Sequence, residues 1–158
     1  MTSISLLVPL IVFVFFALRL SLIDASRHIL PNKLIFASAV AISASETVLS
    51  ILSHSWQACA HSFFVAGETV LVYSLLFAMS RGKLGMGDLK YSLVTGLVIG
   101  WVSPELWLVC IWLAFTLAAI WALIAIRQGR NGRQSAIAFG PFMSVAVLLC
   151  AASSQMIL

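Results

Sequence analysis

Asp24 and Asp88 are the two residues of this 158-residue chain whose type and placement best suit chemistry. Asp24 closes the first apolar stretch and Asp88 opens the fourth, so helices rising about 1.5 Å per residue would bring both to one membrane depth. Two carboxyls a few ångströms apart cannot both ionise cheaply, and such a pair tends to hold one shared proton. The ionised member can take a proton from water while the protonated member polarises a carbonyl, as in aspartic proteases.

Each aspartate also has a purely structural interpretation. Asp24 could end a helix and pair with Arg27, and Asp88 could be a helix N-cap, a position that aspartate fills well. The residues around Asp88 favour a catalytic role over a structural one, because Gly85 and Gly87 precede it at the start of a membrane helix. Glycines allow backbone conformations that other residues avoid, and they let a substrate backbone approach closely.

The composition decides what kind of protein must position these carboxyls. Hydrophobic residues make up 62% of the chain and charged residues only 9%, against about 25% charged in soluble domains. A soluble globular domain and a disordered chain are both excluded, since each needs far more charge. The net charge of +4 comes from basic residues spread among apolar stretches, so no nucleic-acid partner is expected. We therefore expect an integral membrane protein in contact with lipid.

Six continuous apolar stretches are long enough to predict an all-α bundle of six transmembrane helices. A short loop with the turn signal Pro31-Asn32 joins the first two, which should be antiparallel neighbours. All six would form one domain spanning residues 1–158. The stretches run from Ile4 to Ile23, Leu34 to Leu52, His61 to Met79, Leu89 to Val102, Glu105 to Ile126, and Ile137 to Ile157.

The basic residues alternate between loops in a way that predicts the orientation. Eight of the nine lie in the first, third and fifth loops, and the ninth, Arg19, lies about one helical turn from the first loop. The second and fourth loops carry none. By the positive-inside rule the basic loops are cytoplasmic and both termini face the outer, periplasmic side. The eight are Arg27, Lys33, Arg81, Lys83, Lys90, Arg127, Arg130 and Arg133.

Three segments carry a recognisable pattern. They are Asp24 with Arg27 and Leu30-Pro31-Asn32, then Gly85-Met86-Gly87-Asp88-Leu89-Lys90, and finally Ala138-Phe139-Gly140-Pro141-Phe142. Together they resemble the type IV prepilin peptidase family, membrane aspartic endopeptidases of the GxGD class, whose segments read D…R.IPN, GxGDxK and PFGPF. Leu30 and Ala138 depart mildly from that pattern. No cysteine pairs precede the first helix, so the chain is similar to the short Tad (tight adherence) form, the CpaA/TadV type, or to an archaeal preflagellin-peptidase-like form, without the N-methyltransferase extension.

The resemblance implies a reaction and its partners. The Asp24/Asp88 pair would act as a catalytic dyad. It would cleave the short basic leader from a prepilin or pseudopilin at the cytoplasmic face of the bacterial inner membrane, without a metal or other cofactor. The resemblance implies catalytic roles for Asp24 and Asp88. It implies supporting or substrate-binding roles for Gly85, Gly87, Lys90, Arg27, Pro31, Asn32, Gly140 and Pro141.

A small proton- or cation-coupled transporter with interfacial carboxylates is the alternative function, and an idle assembly scaffold is a further one. Glu68, inside the third helix, is interpreted as a protonated acid bonded to a neighbouring helix. Gly96 and Gly100 form a GxxxG that predicts close packing within the chain, or alternatively a homodimer interface.

Overall fold

The structure, a computed structural model, describes residues 3–27, 29–81, 84–128 and 138–157. Within those ranges the chain forms six α-helices, one short 3-10 turn at Pro104–Leu106, and no β-strand. The all-helical prediction is therefore confirmed for the described residues. The helices are α1 (Ser3–Arg27), α2 (Asn32–Ser53), α3 (Trp56–Met79), α4 (Met86–Val102), α5 (Trp107–Arg127) and α6 (Gly140–Ile157).

Four of these helices, α1, α2, α3 and α5, are long and apolar enough to cross a membrane. Helix α6 is apolar but shorter over its described part, and α4 has 17 residues. Large apolar side chains cover the outer surface, with Phe36, Leu52 and Trp112 each more than 70% exposed. A surface of this kind suits lipid rather than water, and the chain is a multi-pass membrane protein. The count of six spans and the side on which the termini lie stay predictions.

The helix ends differ in places from the predicted ones, because local backbone signals place them. Pro31 lies just before α2 with an extended backbone, and its carbonyl accepts the N–H groups of Leu34 and Ile35. Helix α3 begins five residues before the predicted start at His61, at Trp56. Helix α6 begins at Gly140, whereas Ile137, the predicted start, lies outside the described residues.

Helices α3 and α4 make the closest contact of the bundle through the two glycines of the GxxxG. A Cβ on Gly96 would lie 2.7 Å from the Ala66 Cα, and one on Gly100 would lie 2.8 Å from the Ser62 Cα. No side chain fits at such distances, so the backbones touch directly. The prediction that these glycines pack within the chain is confirmed.

A fully buried acid lies in the same region, and it is Glu46 rather than Glu68. Glu46 in α2 is 0% exposed, whereas Glu68 is partly exposed on α3. The Ser62 hydroxyl lies 2.6 Å from Glu46 Oε2 and 2.9 Å from the Leu97 carbonyl. The Ser62 hydroxyl is the donor, and both oxygens lie within reach of its one hydrogen. This chain of bonds links α2, α3 and α4.

Candidate active site

Asp24 lies in the last turn of α1 and is 5% exposed. Its Oδ2 accepts a hydrogen bond of 3.0 Å from the backbone N–H of Gly140, the first residue of α6. The first N–H groups of a helix have no partner within the helix and attract negative charge. A Cβ on residue 140 would lie 2.9 Å from that same oxygen. A side chain at residue 140 would therefore require the Asp24 carboxyl to move from this position.

Asp88 lies in the first turn of α4, outside the four long spans and ahead of the apolar stretch that begins at Leu89. The N-cap of α4 is Gly85, so the structural interpretation of Asp88 as the N-cap is wrong. Asp88 instead occupies the third helical position, and its carboxyl is hydrogen-bonded to the Gly85 backbone, as in half of a capping box. A Cβ on Gly85 would lie 2.8 Å from Asp88 Oδ2. The glycine leaves that carboxyl its place.

The two carboxyls act on each other. Burial is the main cause that raises the pKa of the Asp88 carboxyl, and the negative charge of Asp24 raises it further. The hydrogen bond with the Gly85 backbone lowers it, and the resulting pKa is about 7. Half-buried carboxyls in such a field hold their proton near neutral pH. Asp24 also accepts a hydrogen bond from a backbone N–H, that of Gly140, and the negative charge of its carboxylate acts on Asp88. The arrangement can therefore provide one acid and one base.

Leu30, in the loop between α1 and α2, packs between the two glycine-containing segments. A Cβ on Gly87 would lie 3.0 Å from the Leu30 Cβ, and a Cβ on Gly140 would lie 3.6 Å from its Cδ2. Leu30 is 7% exposed. The D…R.LPN segment thus contacts the starts of both α4 and α6. Asp24, Leu30, Gly87 and Gly140 thus meet at one end of the bundle.

The other site residues named from sequence lie at or near this end. Lys90 donates a hydrogen bond of 2.9 Å from Nζ to Asn32 Oδ1, which links the first turns of α2 and α4 on the exposed side. Pro141 follows Gly140 in the first turn of α6 and is partly buried. Arg27 is the last residue of α1, and its side chain lies outside the described residues.

Phe139, beside Gly140, anchors the start of α6 in an aromatic cluster. Its ring lies 4.8 Å from that of Phe115 on α5 and 6.3 Å from that of Tyr73 on α3, measured between centroids. Because Phe139 is 8% exposed, this cluster fixes the start of α6 against two further helices. The apolar type of residue 139 is part of the predicted motif, but its partners come from the fold.

A polar layer that no sequence motif predicts lies one helical turn from the aspartates, deeper in the bundle. The Tyr91 hydroxyl lies 2.7 Å from Ser144 Oγ, and Ser21 Oγ lies 3.3 Å from the same atom. The available signal was spacing, since Ser21 precedes Asp24 by three residues and Tyr91 follows Asp88 by three.

The comparison with protein families gives the decisive observation. The type IV leader peptidase family matches residues 11–124, well over half of the chain. This chain belongs to the type IV leader peptidase family. The matched region of this leader peptidase contains Asp24 and Asp88 and ends before the segment around Gly140. Neither a curated protein nor a solved structure matches the chain.

Proposed function

We propose that this leader peptidase is an aspartic endopeptidase of the GxGD type, with Asp24 and Asp88 as its catalytic dyad. The observation that carries the proposal is that the charge of Asp24, which the Gly140 N–H holds, and burial together raise the pKa of Asp88 at the same end of the bundle. Carboxyl pairs whose surroundings favour opposite protonation states are typical of acid/base catalysis. Membership of the family supplies the class of reaction.

The two aspartates have different roles in the proposed reaction. The Asp24 carboxylate, held by the Gly140 N–H, accepts a proton from water. The Asp88 carboxylic acid donates its proton to the carbonyl oxygen of the scissile peptide as the water oxygen bonds to the carbonyl carbon. The tetrahedral intermediate then collapses: the C–N bond breaks, the leaving nitrogen takes up the proton from Asp24, and one hydroxyl of the intermediate returns a proton to Asp88 as the C=O bond forms again. The products are a carboxylic acid and an amine, without a covalent enzyme intermediate.

The substrates in this proposal are type IV prepilins or pseudopilins. The leader would lie on the cytoplasmic side of the inner membrane, where the basic loops also lie by the positive-inside rule. An open groove of about 630 Å³ between α2, α3 and α4 supports the binding of an apolar helix, since Phe36, Val70 and Leu93 line it. Its polar end is formed by Asn32 and Lys90.

Charge-neutral substitutions test the dyad. Asp24→Asn and Asp88→Asn should each abolish cleavage of a co-expressed prepilin, measured as the shift from precursor to mature pilin on a gel. Glu68→Gln is the matched control, because it removes a carboxylate from a partly exposed position on α3 and should leave cleavage unchanged. Full activity in either aspartate variant, with normal membrane insertion, would show that the dyad assignment is wrong.

A further inference from the structure

The polar layer below the aspartates has a consistent direction of hydrogen bonds. The Ser144 hydroxyl donates to the Gly140 carbonyl at 3.0 Å, and this uses its only hydrogen. Its lone pairs are then left to accept from Tyr91 and Ser21, which lie at 2.7 and 3.3 Å. One serine on α6 is thus tied to α4 and to α1. Tyr91 is 0% exposed, and a buried hydroxyl that loses its partner destabilises the fold.

The register of this layer matches that of the aspartates. Residues three or four apart on a helix lie on the same face, one turn away. Ser21 is three residues from Asp24, and Tyr91 is three residues from Asp88. Ser144 is four residues from Gly140, whose N–H holds Asp24. The three helices that meet at the aspartates therefore meet a second time, through side-chain hydroxyls, one turn deeper.

We propose that Tyr91, Ser144 and Ser21 are positioning residues that hold α1, α4 and α6 in the register at which Asp24 and Asp88 act on each other. For catalysis the inference rests on the proposed function. The layer itself touches neither substrate nor reacting atoms, and it works through the aspartates. Without these bonds α4 can shift against α1 and α6, the two carboxyls move apart, and water reaches Asp88.

Among the residues that the structure describes, the groups that act on Asp88 come from two helices besides its own. Asp24 on α1 and Tyr73 on α3 interact with it electrostatically. Lys90, on the same helix as Asp88, directs its ammonium to Asn32 on α2. At the start of α6 the aspartates meet Gly140, and its neighbour Phe139 packs in the aromatic cluster. A change in the titration of Asp88 therefore reports chiefly on its burial and on Asp24.

The decisive experiment titrates Asp88 in the full chain by carbon-13 NMR of its side-chain carboxyl, with Asp88→Asn used to assign the signal. Tyr91→Phe and Ser144→Ala should each lower its pKa by about one unit, because the like charge moves away and water enters. The matched control is Ser92→Ala, since Ser92 is fully buried on α4 but bonds only within its own helix, to the Leu89 carbonyl. That variant should leave the titration unchanged.

A cleavage assay adds a second readout. Tyr91→Phe should lower kcat about tenfold and leave KM nearly unchanged, since misplaced catalytic groups slow the chemical step rather than binding. A role confined to folding would instead reduce the amount of folded protein without moving the titration of Asp88. An Asp88 titration in Tyr91→Phe and Ser144→Ala that equals the wild-type one would overturn the proposal.

Two further outcomes are separable. Should Tyr91→Phe not fold, Ser144→Ala and the milder Ser21→Ala carry the test, and an unchanged titration in both counts against the layer. Should the wild-type protein cleave no prepilin while the variants still shift the titration of Asp88, the proposed function fails and the positioning of the two carboxyls stands. If cleavage depends on both aspartates but the variants leave the titration of Asp88 unchanged, the proposed function stands and the positioning role of the layer fails.

Discussion

The backbone N–H of Gly140 donates a hydrogen bond of 3.0 Å to Asp24 Oδ2, although 116 positions separate the two residues along the chain. This bond brings the start of α6 onto the last turn of α1. It also explains why a glycine follows Phe139, because a Cβ at residue 140 would lie 2.9 Å from the carboxyl oxygen. The segment around Gly140 is thus in direct hydrogen-bond contact with the segment around Asp24.

Gly140→Ala should therefore impair the reaction. The added methyl group and Asp24 Oδ2 cannot keep their places, so we expect the cleavage rate to fall by tenfold or more, in line with the cost of misplacing a catalytic group by about 1 Å. Cleavage of a prepilin over time measures it. Gly67→Ala is the control, because a Cβ there meets nothing within 4 Å. Wild-type activity in Gly140→Ala would contradict the role given to this contact.

The pH profile of cleavage follows from the raised pKa of Asp88. Burial and the charge of Asp24 place that pKa at about 7, so Asp88 is a proton donor below pH 7 and a second carboxylate above it. The proposed reaction needs that proton, and cleavage should fall about tenfold for each pH unit above the pKa. Initial rates between pH 5 and 9 would measure the limb. A rate that stays constant from pH 7 to 9 would exclude Asp88 as the acid.

The same shift predicts how stability depends on pH. The pKa of Asp88 rises on folding from its ordinary 3.8 to about 7, so the folded protein holds a proton that the unfolded chain releases between these values. The stability that this proton contributes to the folded state is fully present below pH 3.8 and is lost as the pH rises through 7. Asp88→Asn lacks this loss, so its advantage in melting temperature over the wild type should grow from pH 4 to 7 and level off above. A constant difference across that range would contradict the raised pKa.

Two glycine-to-alanine substitutions should change stability in opposite directions, because Gly96 lies in the GxxxG contact and Gly67 lies outside it. Gly96→Ala puts a methyl group 2.7 Å from the Ala66 Cα, which forces α3 and α4 apart and should cost about 1–3 kcal/mol of unfolding free energy. Gly67→Ala has open space and should stabilise the helix by about 0.5–1 kcal/mol. Thermal unfolding in detergent compares the two. Equal effects would show that helix propensity, not the close contact, governs both positions.

Much of the fold follows from composition, because lipid permits few structures. A chain with 62% hydrophobic residues must form its backbone hydrogen bonds inside helices, and the continuous apolar stretches locate those helices to within one or two turns. The motif around Gly85 and Asp88 and the one around Asp24 and Leu30 led to the family, because their residue types and order along the chain are specific.

Pairwise contacts between distant segments could not be obtained in this way. The burial of Glu46 rather than Glu68 depends on which face of α2 meets α3. The layer of Ser21, Tyr91 and Ser144 depends on the register of three helices. Hydrophobic patterning is weak on helices that are apolar on every side, so it does not indicate which face points inward.

The sequence by itself therefore determined that this protein is a helical membrane protein with two aspartates in family motifs at helix ends. Only the tertiary structure decided that Gly140 holds Asp24, that Leu30 packs between two glycines, and that Asp88 reaches back to Gly85. The physical reason is that residue type and spacing act within one helix, whereas the protonation of a carboxyl depends on groups that other helices bring to it.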